Sequence, residues 1–442
     1  MLRNRLALPA VIAVLAWASL GRPAAPRAAP NSEPRPWRTS TIDATGDVGR
    51  HAAAAFNPSN GQATIYYYDA TAKRLKGAVN APSSQNPCLP AGWSCSSLAF
   101  EGLHPSVDFT PDGHIGVATY VPTHQTNAYA GPTPGGGSFF ERVDMEPSSA
   151  PGTYTGFYNS FKFDANDSPH LAYYRVLPSP AIRYAEFVGS GGNCGGEGNV
   201  GRWQCDTIAA AEGNATVFNA VALDFNSAGV PHMAFRNLLG SLSLAYEVGS
   251  GGNCGEGAQF HKWQCDVIDG NAKPYAIAMH LRQCSILCGG EGSWIAYRDS
   301  ASNNVRVARK VASGGNCGAG TNAGLWQCAT IEGVGPEPAE AGVAIRYNYA
   351  EATPYLAYQD RDDQSNAILK LAYAVASGGN CGGGAWQCQV IDGGQGGANV
   401  GAYLSLDIDG DGYGLIAHYD ETNRDLKVSR QQRGIYVPLL MR

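Results

Sequence analysis

Carboxylates recur in this chain in patterns that could hold a cation. The run Asp407-Ile408-Asp409-Gly410-Asp411-Gly412 matches the start of a D-x-D-x-D-G calcium loop, and carboxylate oxygens are the ligands that calcium prefers. The twelfth position is His418, where such a loop carries a bidentate glutamate. Two interpretations therefore stand for Asp407, Asp409 and Asp411: a calcium site, or an ordinary acidic turn. No motif in the chain requires a cofactor.

Carboxylates could also act as a general acid and a general base. A glycosidase needs two of them about 5–10 Å apart, and Glu340 with Asp299 or Asp360 could supply such a pair. Nothing in the sequence selects that pair from the other acids. The chain has no H-E-x-x-H, G-x-S-x-G or Walker A motif. The motifs therefore favour a binding function over catalysis and leave a hydrolase or lyase as the alternative.

Twelve cysteines fall into six close pairs along the chain. In an exported protein such pairs indicate local disulfides. Zinc is the competing explanation, but a closed zinc site needs four converging ligands, and most of these pairs stand far apart in the sequence. We therefore predict six disulfides: Cys88 with Cys95, Cys194 with Cys205, Cys254 with Cys265, Cys284 with Cys288, Cys317 with Cys328, and Cys381 with Cys388.

The first 18 residues have the pattern of a signal peptide. Arg3 and Arg5 precede an apolar run, and Ala16-Trp17-Ala18 has the small-x-small form of a cleavage site. Residues 19–36 form a Pro/Ala-rich linker. No later segment reaches transmembrane length. We therefore expect a protein that is secreted or held at the cell surface.

The amino-acid composition indicates which classes of binding partner to expect. Charged residues make up 15% of the chain and the net charge is -6, with no basic block. Nucleic acid is therefore excluded as an expected partner. The 56 glycines, the 26 prolines and an aromatic share of 10% are typical of a turn-rich and strand-rich protein.

A tryptophan precedes the second cysteine in five of the pairs, and four of these tryptophans reveal a long repeat. Trp203, Trp263, Trp326 and Trp386 are about 60 residues apart, and an isoleucine follows each after five positions. Within each unit, apolar residues alternate with polar ones over four short segments separated by turns, as in 218–225, 231–236 and 243–248. Repeated four-stranded units predict a β-propeller.

Seven first strands can be counted, so we predict an all-β, seven-bladed propeller over residues 37–434, followed by a short tail at 435–442. The last unit lacks a W-x-C strand. Trp37 and Ile42 have the repeat spacing without the cysteine. We therefore expect the N-terminal strand to complete the last blade beside 426–430 and close the ring, which removes exposed sheet edges.

The strands Pro169-His170-Leu171-Ala172-Tyr173-Tyr174 and Leu369-Lys370-Leu371-Ala372-Tyr373-Ala374 carry a family resemblance. Their units resemble the "PHIAYYD…LKYA" propeller repeats of exported bacterial proteins, and the likeness extends over most of the chain. More distantly, the chain is similar to sialidase-type propellers. The resemblance implies a propeller fold and brings no catalytic residue.

In a propeller, the turns that enter the first strand and those that leave the second lie on one face around the axis. Aromatic, amide and charged side chains at these positions suit a glycan, because rings stack on sugar faces while polar groups bind hydroxyls. The alternative is that they pack between blades and cap turns. The candidate ligand-binding residues are His51, His104, Tyr158, Asn219, Tyr275, Glu340, Tyr68, Tyr174, Arg236, Arg298, Gln359 and Tyr419.

These observations favour a non-catalytic binding or surface-display module whose partner is a glycan, a cell-envelope polymer or a protein. Two alternatives remain from the sequence: a carbohydrate-active hydrolase or lyase that uses the same face, and a purely structural surface protein.

Overall fold

The chain folds into seven four-stranded antiparallel sheets, and each sheet is one blade of a β-propeller. The structure is a computed structural model. It describes residues 35–82, 88–89, 92–134, 138–145, 155–177, 179–196, 198–211, 221–257, 261–281, 293–334 and 341–433. Strands are numbered β1 to β28 in chain order, and blades 1 to 7 are numbered from the first complete sheet. The predicted fold class and blade number are confirmed.

Blades 1 to 6 each use four consecutive strands. Blade 1 contains β2 (Val48–Phe56), β3 (Ala63–Asp69), β4 (Arg74–Val79) and β5 (Ser94–Ser97); blade 2 contains β6 (Leu103–Phe109), β7 (Ile115–Val121), β8 (Thr126–Pro132) and β9 (Ser138–Arg142); blade 3 contains β10 (Thr155–Phe163), β11 (Pro169–Arg175), β12 (Ala181–Phe187) and β13 (Trp203–Ala210).

The remaining blades follow the same order. Blade 4 contains β14 (Val221–Phe225), β15 (Pro231–Arg236), β16 (Leu242–Glu247) and β17 (Trp263–Asp269); blade 5 contains β18 (Pro274–Leu281), β19 (Ser293–Asp299), β20 (Asn304–Lys310) and β21 (Trp326–Gly333); blade 6 contains β22 (Val343–Asn348), β23 (Thr353–Arg361), β24 (Ala367–Ala374) and β25 (Trp386–Asp392); blade 7 contains β26 (Val400–Ile408), β27 (Gly414–Asp420), β28 (Asp425–Gln431) and β1 (Trp37–Asp43). Three short 3-10 turns, Gly320–Asn322, Gly382–Gly384 and Gln395–Gly397, lie in the loops.

The first strand of each blade is the innermost, and it contacts the first strands of both neighbouring blades. We call the end of the propeller where these innermost strands begin the entry face, and the end where they finish the exit face. Hydrophobic clusters fill the spaces between adjacent blades, as where Trp263 and Val221 of blade 4 pack with Ile208 of blade 3. In the part of the chain that the structure describes, no helix has the length and apolar character needed to cross a membrane.

The N-terminal strand closes the ring as predicted. Strand β1 pairs antiparallel with β28, with Trp37 opposite Gln431 and Ser40 opposite Val428. Ile42 is fully buried in the cluster between blades 7 and 1. The first and last parts of the propeller are therefore joined in one sheet.

A buried ion cluster joins five pairs of adjacent blades. At the boundary between blades 4 and 5, the hydroxyl of Tyr297 donates to Asp269 at 2.7 Å, and Arg306 lies 2.9 Å from the same carboxylate. The other four clusters have the same arrangement, with a carboxylate in or just after an outer strand, and a hydroxyl or imidazole and a cation from the next blade: Asp43 with Tyr67 and Lys76, Asp144 with Tyr173 and Arg183, Glu332 with Tyr358 and Lys370, and Asp392 with His418 and Lys427. Because both charges are paired, their burial is tolerated.

The repeated cysteine segment is a hairpin between the third and outermost strands. Five of the predicted disulfides are present: Cys88–Cys95, Cys194–Cys205, Cys254–Cys265, Cys317–Cys328 and Cys381–Cys388. The sixth predicted disulfide would join Cys284 and Cys288. Cys284 lies outside the described residues, as does Cys288, so a bond between them stays a prediction.

Two further residues of the segment Ser250-Gly251-Gly252-Asn253-Cys254 hold this hairpin, and the same S-G-G-N-C motif recurs at 190–194, 313–317 and 377–381. The Asn253 amide donates to the carbonyl of Cys265 at 2.9 Å and accepts from its backbone N–H at 2.7 Å. A Cβ at Gly252 would lie 2.1 Å from the carbonyl oxygen of Trp263. Only glycine therefore fits beside the outer strand at this position.

Candidate functional site

Four aromatic side chains from four consecutive blades meet at the axis on the entry face. The ring centroids of Tyr403 and His51 are 4.3 Å apart, those of His51 and His104 are 4.0 Å apart, and those of His104 and Tyr158 are 4.5 Å apart. Each side chain keeps part of its surface exposed. We call these four residues the axial arc.

A shared backbone distortion directs the axial arc. His51, His104, Tyr158 and Tyr403 all have φ near +50°, between 48° and 55°, and the strand pairing shifts at each of them. A bulge of this kind re-aims a side chain, and non-glycine residues adopt left-handed backbone at a cost of about 1–2 kcal/mol each. The sequence predicted His51, His104 and Tyr158 as strand entries, whereas the structure places them inside β2, β6 and β10.

The two imidazoles of the axial arc are uncharged at neutral pH. Burial lowers the pKa of His104 to about 4. Burial and the neighbouring His104 and Arg50 lower the pKa of His51 well below its ordinary value. The axial arc is therefore a neutral aromatic surface with imidazole and phenol groups at its edges.

Charged residues of blades 7 and 1 lie behind the axial arc. Arg50 forms a two-pronged ion pair with Asp47, at 3.0 and 2.7 Å. The hydroxyl of Tyr419 donates to Asp47 at 2.8 Å, and burial together with this bond raises the pKa of Tyr419 to about 12. The rings of Tyr419 and Tyr403 are 5.9 Å apart. Tyr419 thus supports the axial arc and leaves Asp47 fully paired.

The other residues predicted to bind a ligand either make structural contacts within the propeller or lie outside the described residues. Tyr68 donates to Glu101 at 2.8 Å. Arg298 is 1% exposed and donates to the Tyr275 hydroxyl at 2.6 Å and to the Gln359 carbonyl at 2.5 Å. The Gln359 side chain donates to Val400 and Glu421. Tyr174 and Arg236 are buried at the ends of β11 and β15. Asn219 and Glu340 lie outside the described residues.

The sequence reasoning missed Tyr403 of this region and noted Asn159 only as the neighbour of Tyr158. Tyr403 was not among the candidates, although Gly49-Arg50-His51, Gly102-Leu103-His104, Gly156-Phe157-Tyr158 and Gly401-Ala402-Tyr403 share the pattern Gly-x-His/Tyr. Asn159 follows Tyr158, and its amide nitrogen and oxygen are both buried without a hydrogen-bond partner among the described residues. A buried amide in this state has unused capacity for polar contacts.

The predicted calcium ligands are engaged by other groups of the protein. Asp409 accepts from the backbone N–H groups of Asp411 and Tyr413 at 3.0 and 2.8 Å. Arg433 lies 2.9 Å from the Asp411 carboxylate, while Asp407 accepts from the Phe56 N–H at 2.8 Å. No group of three or more His, Cys, Asp or Glu that could hold a metal ion occurs among the described residues. Calcium binding at this loop stays a prediction.

Of the carboxylates suggested for hydrolysis, Glu340 lies outside the described residues, and its two possible partners, Asp299 and Asp360, are engaged in turns and ion pairs. Asp299 accepts from Lys273 and Ala301 backbone N–H groups at 2.8 and 3.0 Å. Asp360 lies 3.0 Å from the Lys370 ammonium. Both carboxylates therefore have structural partners in the described structure.

A belt of titratable side chains surrounds the axis towards the exit face, one from each of blades 2 to 7. Two ion pairs form between adjacent members, Asp108 with Lys162 at 3.4 Å and Arg346 with Asp407 at 3.3 Å, and the His280 imidazole lies 3.8 Å from the Asp224 carboxylate. Asp108, Asp224 and Asp407 also each accept a backbone N–H from the innermost strand of the next blade. The belt thus joins the innermost strands across blades.

Comparison with known proteins shows likeness in fold alone. No protein-family model matches the chain, and no curated protein matches it. Similar solved structures include an ulvan lyase of polysaccharide lyase family 25, which is 12% identical with a TM-score of 0.47 over 88% of this chain and 95% of that one. AofleA from Arthrobotrys oligospora is 10% identical with a TM-score of 0.42, over 81% and 90% of the two chains. A leech intramolecular trans-sialidase is 10% identical with a TM-score of 0.40, over 88% and 68%.

Proposed function

We propose that this protein is an exported, non-catalytic glycan-binding propeller whose contact surface is the axial arc. The observation that carries the proposal is the packing of Tyr403, His51, His104 and Tyr158 in one continuous row, with centroid distances of 4.0 to 4.5 Å. Four neighbouring blades keep a costly backbone conformation to build that row. Backbone outliers of this kind cluster at ligand-binding sites.

The chemistry of the axial arc suits a sugar better than an ion. Its imidazoles are neutral because burial lowers the pKa of His104 to about 4. Neutral rings stack on the apolar face of a pyranose, and ring N–H and phenol groups can exchange hydrogen bonds with its hydroxyls. The buried amide of Asn159 adds a donor and an acceptor next to Tyr158.

The carboxylates near the axial arc support binding over hydrolysis. Asp47 is paired with Arg50, Glu101 accepts from Tyr68, and Glu421 accepts from Gln359. A general acid needs a carboxyl group with a raised pKa. Burial raises the pKa of Glu186 and of Asp425, but these residues belong to β12 and β28 and not to the innermost strands that form the arc.

Export is part of the proposal. The first 18 residues have the charge and apolar pattern of a signal peptide. The five disulfides of the described structure suit an oxidising compartment. The repeat type resembles that of exported bacterial propellers, which supports a place outside the cell or at its surface.

A glycan array probed with the purified chain, paired with a turnover screen on the glycans that bind, tests the proposal. We expect binding without turnover. Because asparagine tolerates left-handed backbone, His104→Asn and Tyr403→Asn remove a ring with little strain, and each should weaken binding about tenfold. Phe140→Ala removes a half-exposed ring on outer strand β9 and serves as the matched control.

Three results would contradict this function. Turnover of a bound glycan would favour the hydrolase or lyase. Absence of any glycan binding would favour the structural protein. If wild type and both ring variants bind the glycan with equal affinity and have the same melting temperature, the axial arc is not part of the binding surface.

A further inference from the structure

A cleft of about 200 Å³ opens on the exit face, at the end of the axis opposite to the axial arc. It lies between the β22–β23 turn of blade 6 and the β26–β27 turn of blade 7, and its lining includes His280, Arg346, Tyr347, Tyr349, Asp407 and Asp409. Sites for drug-sized ligands measure about 300–1,000 Å³. This exit-face cleft therefore suits a ligand no larger than a monosaccharide.

Arg346 presents unused hydrogen-bonding capacity to the cleft. Its Nε lies 3.3 Å from Asp407, and its Nη1 donates to the Ile345 carbonyl at 3.1 Å. No described residue accepts a hydrogen bond from Nη2, and the side chain is 26% exposed. A guanidinium group with a free edge is the side chain best matched to a carboxylate.

The two carboxylates that line the cleft, Asp407 and Asp409, already have hydrogen-bond donors and cations of the protein as partners. Asp407 accepts from the Phe56 N–H at 2.8 Å through one oxygen and pairs with Arg346 through the other. Asp409 caps its own turn and lies 3.3 Å from Arg433. These acids therefore leave the outer edge of Arg346 available.

Cations and carboxylates both lie near His280 at the cleft floor. Burial, followed by the charges of Arg346 and Lys162, lowers the pKa of His280 to about 3, and the Asp407 carboxylate opposes this shift. The Asp224 carboxylate lies 3.8 Å from Nδ1 of His280. His280 is thus neutral at pH 7, with Nε2 3.4 Å from the Tyr349 hydroxyl. The cations around it favour an anionic ligand.

Tyr349 gives the cleft an aromatic wall and departs from the repeat. Its ring is 54% exposed and lies edge-on to Tyr347 with the centroids 5.2 Å apart. It follows Asn348, which caps the turn. The corresponding positions of the other described turns hold no aromatic residue: Pro58, Pro111, Ala165, Ser227 and Gly410.

We propose that the exit-face cleft binds a small organic carboxylate, with its carboxylate on the free edge of Arg346 and its body against the ring of Tyr349. This site is separate from the axial arc, and it does not depend on glycan binding there.

Calorimetric titration of the full chain with sodium D-glucuronate, sodium benzoate and D-glucose tests the proposal. We expect saturable millimolar or tighter binding of at least one carboxylate and at least tenfold weaker binding of glucose. The glucuronate and benzoate arms distinguish a sugar acid from a planar aromatic acid. Arg346→Lys keeps the positive charge but removes the planar guanidinium group, which can donate two parallel hydrogen bonds to a carboxylate. This variant should weaken binding about tenfold.

Tyr349→Ala keeps the test valid if Arg346→Lys disturbs the fold, because the Tyr349 ring is mostly exposed. It should weaken binding severalfold. Arg74→Gln, an exposed arginine at the start of β4, is the control and should leave the affinity unchanged. Failure of both acids to bind, glucose binding as tight as that of the acids, or unchanged affinity in both cleft variants would overturn the proposal.

Discussion

The four residues of the axial arc have left-handed backbone, a conformation that is strained for any residue other than glycine. Left-handed backbone costs roughly 1–2 kcal/mol of folding free energy per residue, and the contact between two packed aromatic rings stabilises the fold by about 0.5–1.5 kcal/mol. The rings of His51 and His104 therefore offset only part of the cost of their own conformation. What the bulge provides is direction, because it turns one side chain of each innermost strand towards the axis.

The depressed pKa of His104 predicts how stability depends on pH. The ordinary histidine pKa is about 6.5, and burial lowers that of His104 to about 4. Between these values the unfolded chain binds a proton that the folded chain does not. The free energy of unfolding should therefore fall as pH drops from about 6.5 to about 4, with a contribution of at most about 1.4 kcal/mol per pH unit from this residue.

Urea denaturation of wild type and His104→Phe across pH 4 to 7.5 measures this contribution. The variant keeps a ring but cannot titrate, so its stability should fall less steeply over the window. NMR titration of the His104 ring provides an independent check. A midpoint near 6.5 in the folded protein, or equal slopes for the two proteins, would show that burial does not control this imidazole.

Three residues of the repeated S-G-G-N-C segment have separate tasks in the hairpin. The cysteine joins the outer strand through the disulfide, and Asn253 binds both backbone groups of Cys265. Gly252 permits the close approach to the Trp263 carbonyl. The motif recurs because blades 3 to 6 rebuild the same contacts at their outer edges.

Two neighbouring glycines of this hairpin should differ in their tolerance of alanine. Gly252→Ala places a Cβ 2.1 Å from the Trp263 oxygen, so the hairpin must move, at a cost of about 3 kcal/mol or more. Gly251→Ala meets open space at φ +78° and should cost about 1–2 kcal/mol. Guanidinium denaturation of both variants compares the costs. A smaller loss for Gly252→Ala than for Gly251→Ala would refute the close-approach argument.

The ion clusters between blades explain why a tyrosine recurs on the second strands of the repeat. Tyr173, Tyr297 and Tyr358 sit on second strands and donate to acids of the preceding blade. These tyrosines are buried, so their repetition reflects packing of one blade on the next. The acid that follows the isoleucine of the outer strand, as in Ile268-Asp269, is the matching signal.

Closure of the propeller depends on a strand separated from its partner by almost the whole chain. Strand β1 pairs with β28, and Asp43 of β1 receives hydrogen bonds from Tyr67 and Lys76 of blade 1. The same short segment therefore completes blade 7 and anchors blade 1. Without it, β28 would present an unpaired edge to solvent.

Removal of β1 should destabilise the entire propeller. A chain that begins at Val48 lacks Ile42, whose buried side chain alone should contribute about 2–5 kcal/mol, and lacks the Asp43 cluster. Calorimetry should show a lower melting temperature, and size-exclusion chromatography should show association through the exposed edge of β28. A chain that begins at Arg35 is the control. An unchanged melting temperature and a monomeric shortened chain would disprove this role of β1.

Local sequence patterns were sufficient to predict the propeller fold, the number of blades, five disulfides and the pairing of β1 with β28. The period of about 60 residues and the alternation of apolar and polar residues are carried by sequence-adjacent contacts. Trp37 and Ile42 revealed the closing strand because a repeat unit missing at one end must be supplied from the other.

The axial arc and the exit-face cleft were decided by tertiary structure. Tyr403 meets His51 only because closure brings blade 7 beside blade 1, and Arg346 shares a cleft with His280 because adjacent blades converge at the axis. Single-residue bulges inside innermost strands also change which side chains face that axis, and alternation cannot reveal them. Contacts between blades join residues that are about sixty or several hundred positions apart, where a local pattern holds no information on distance.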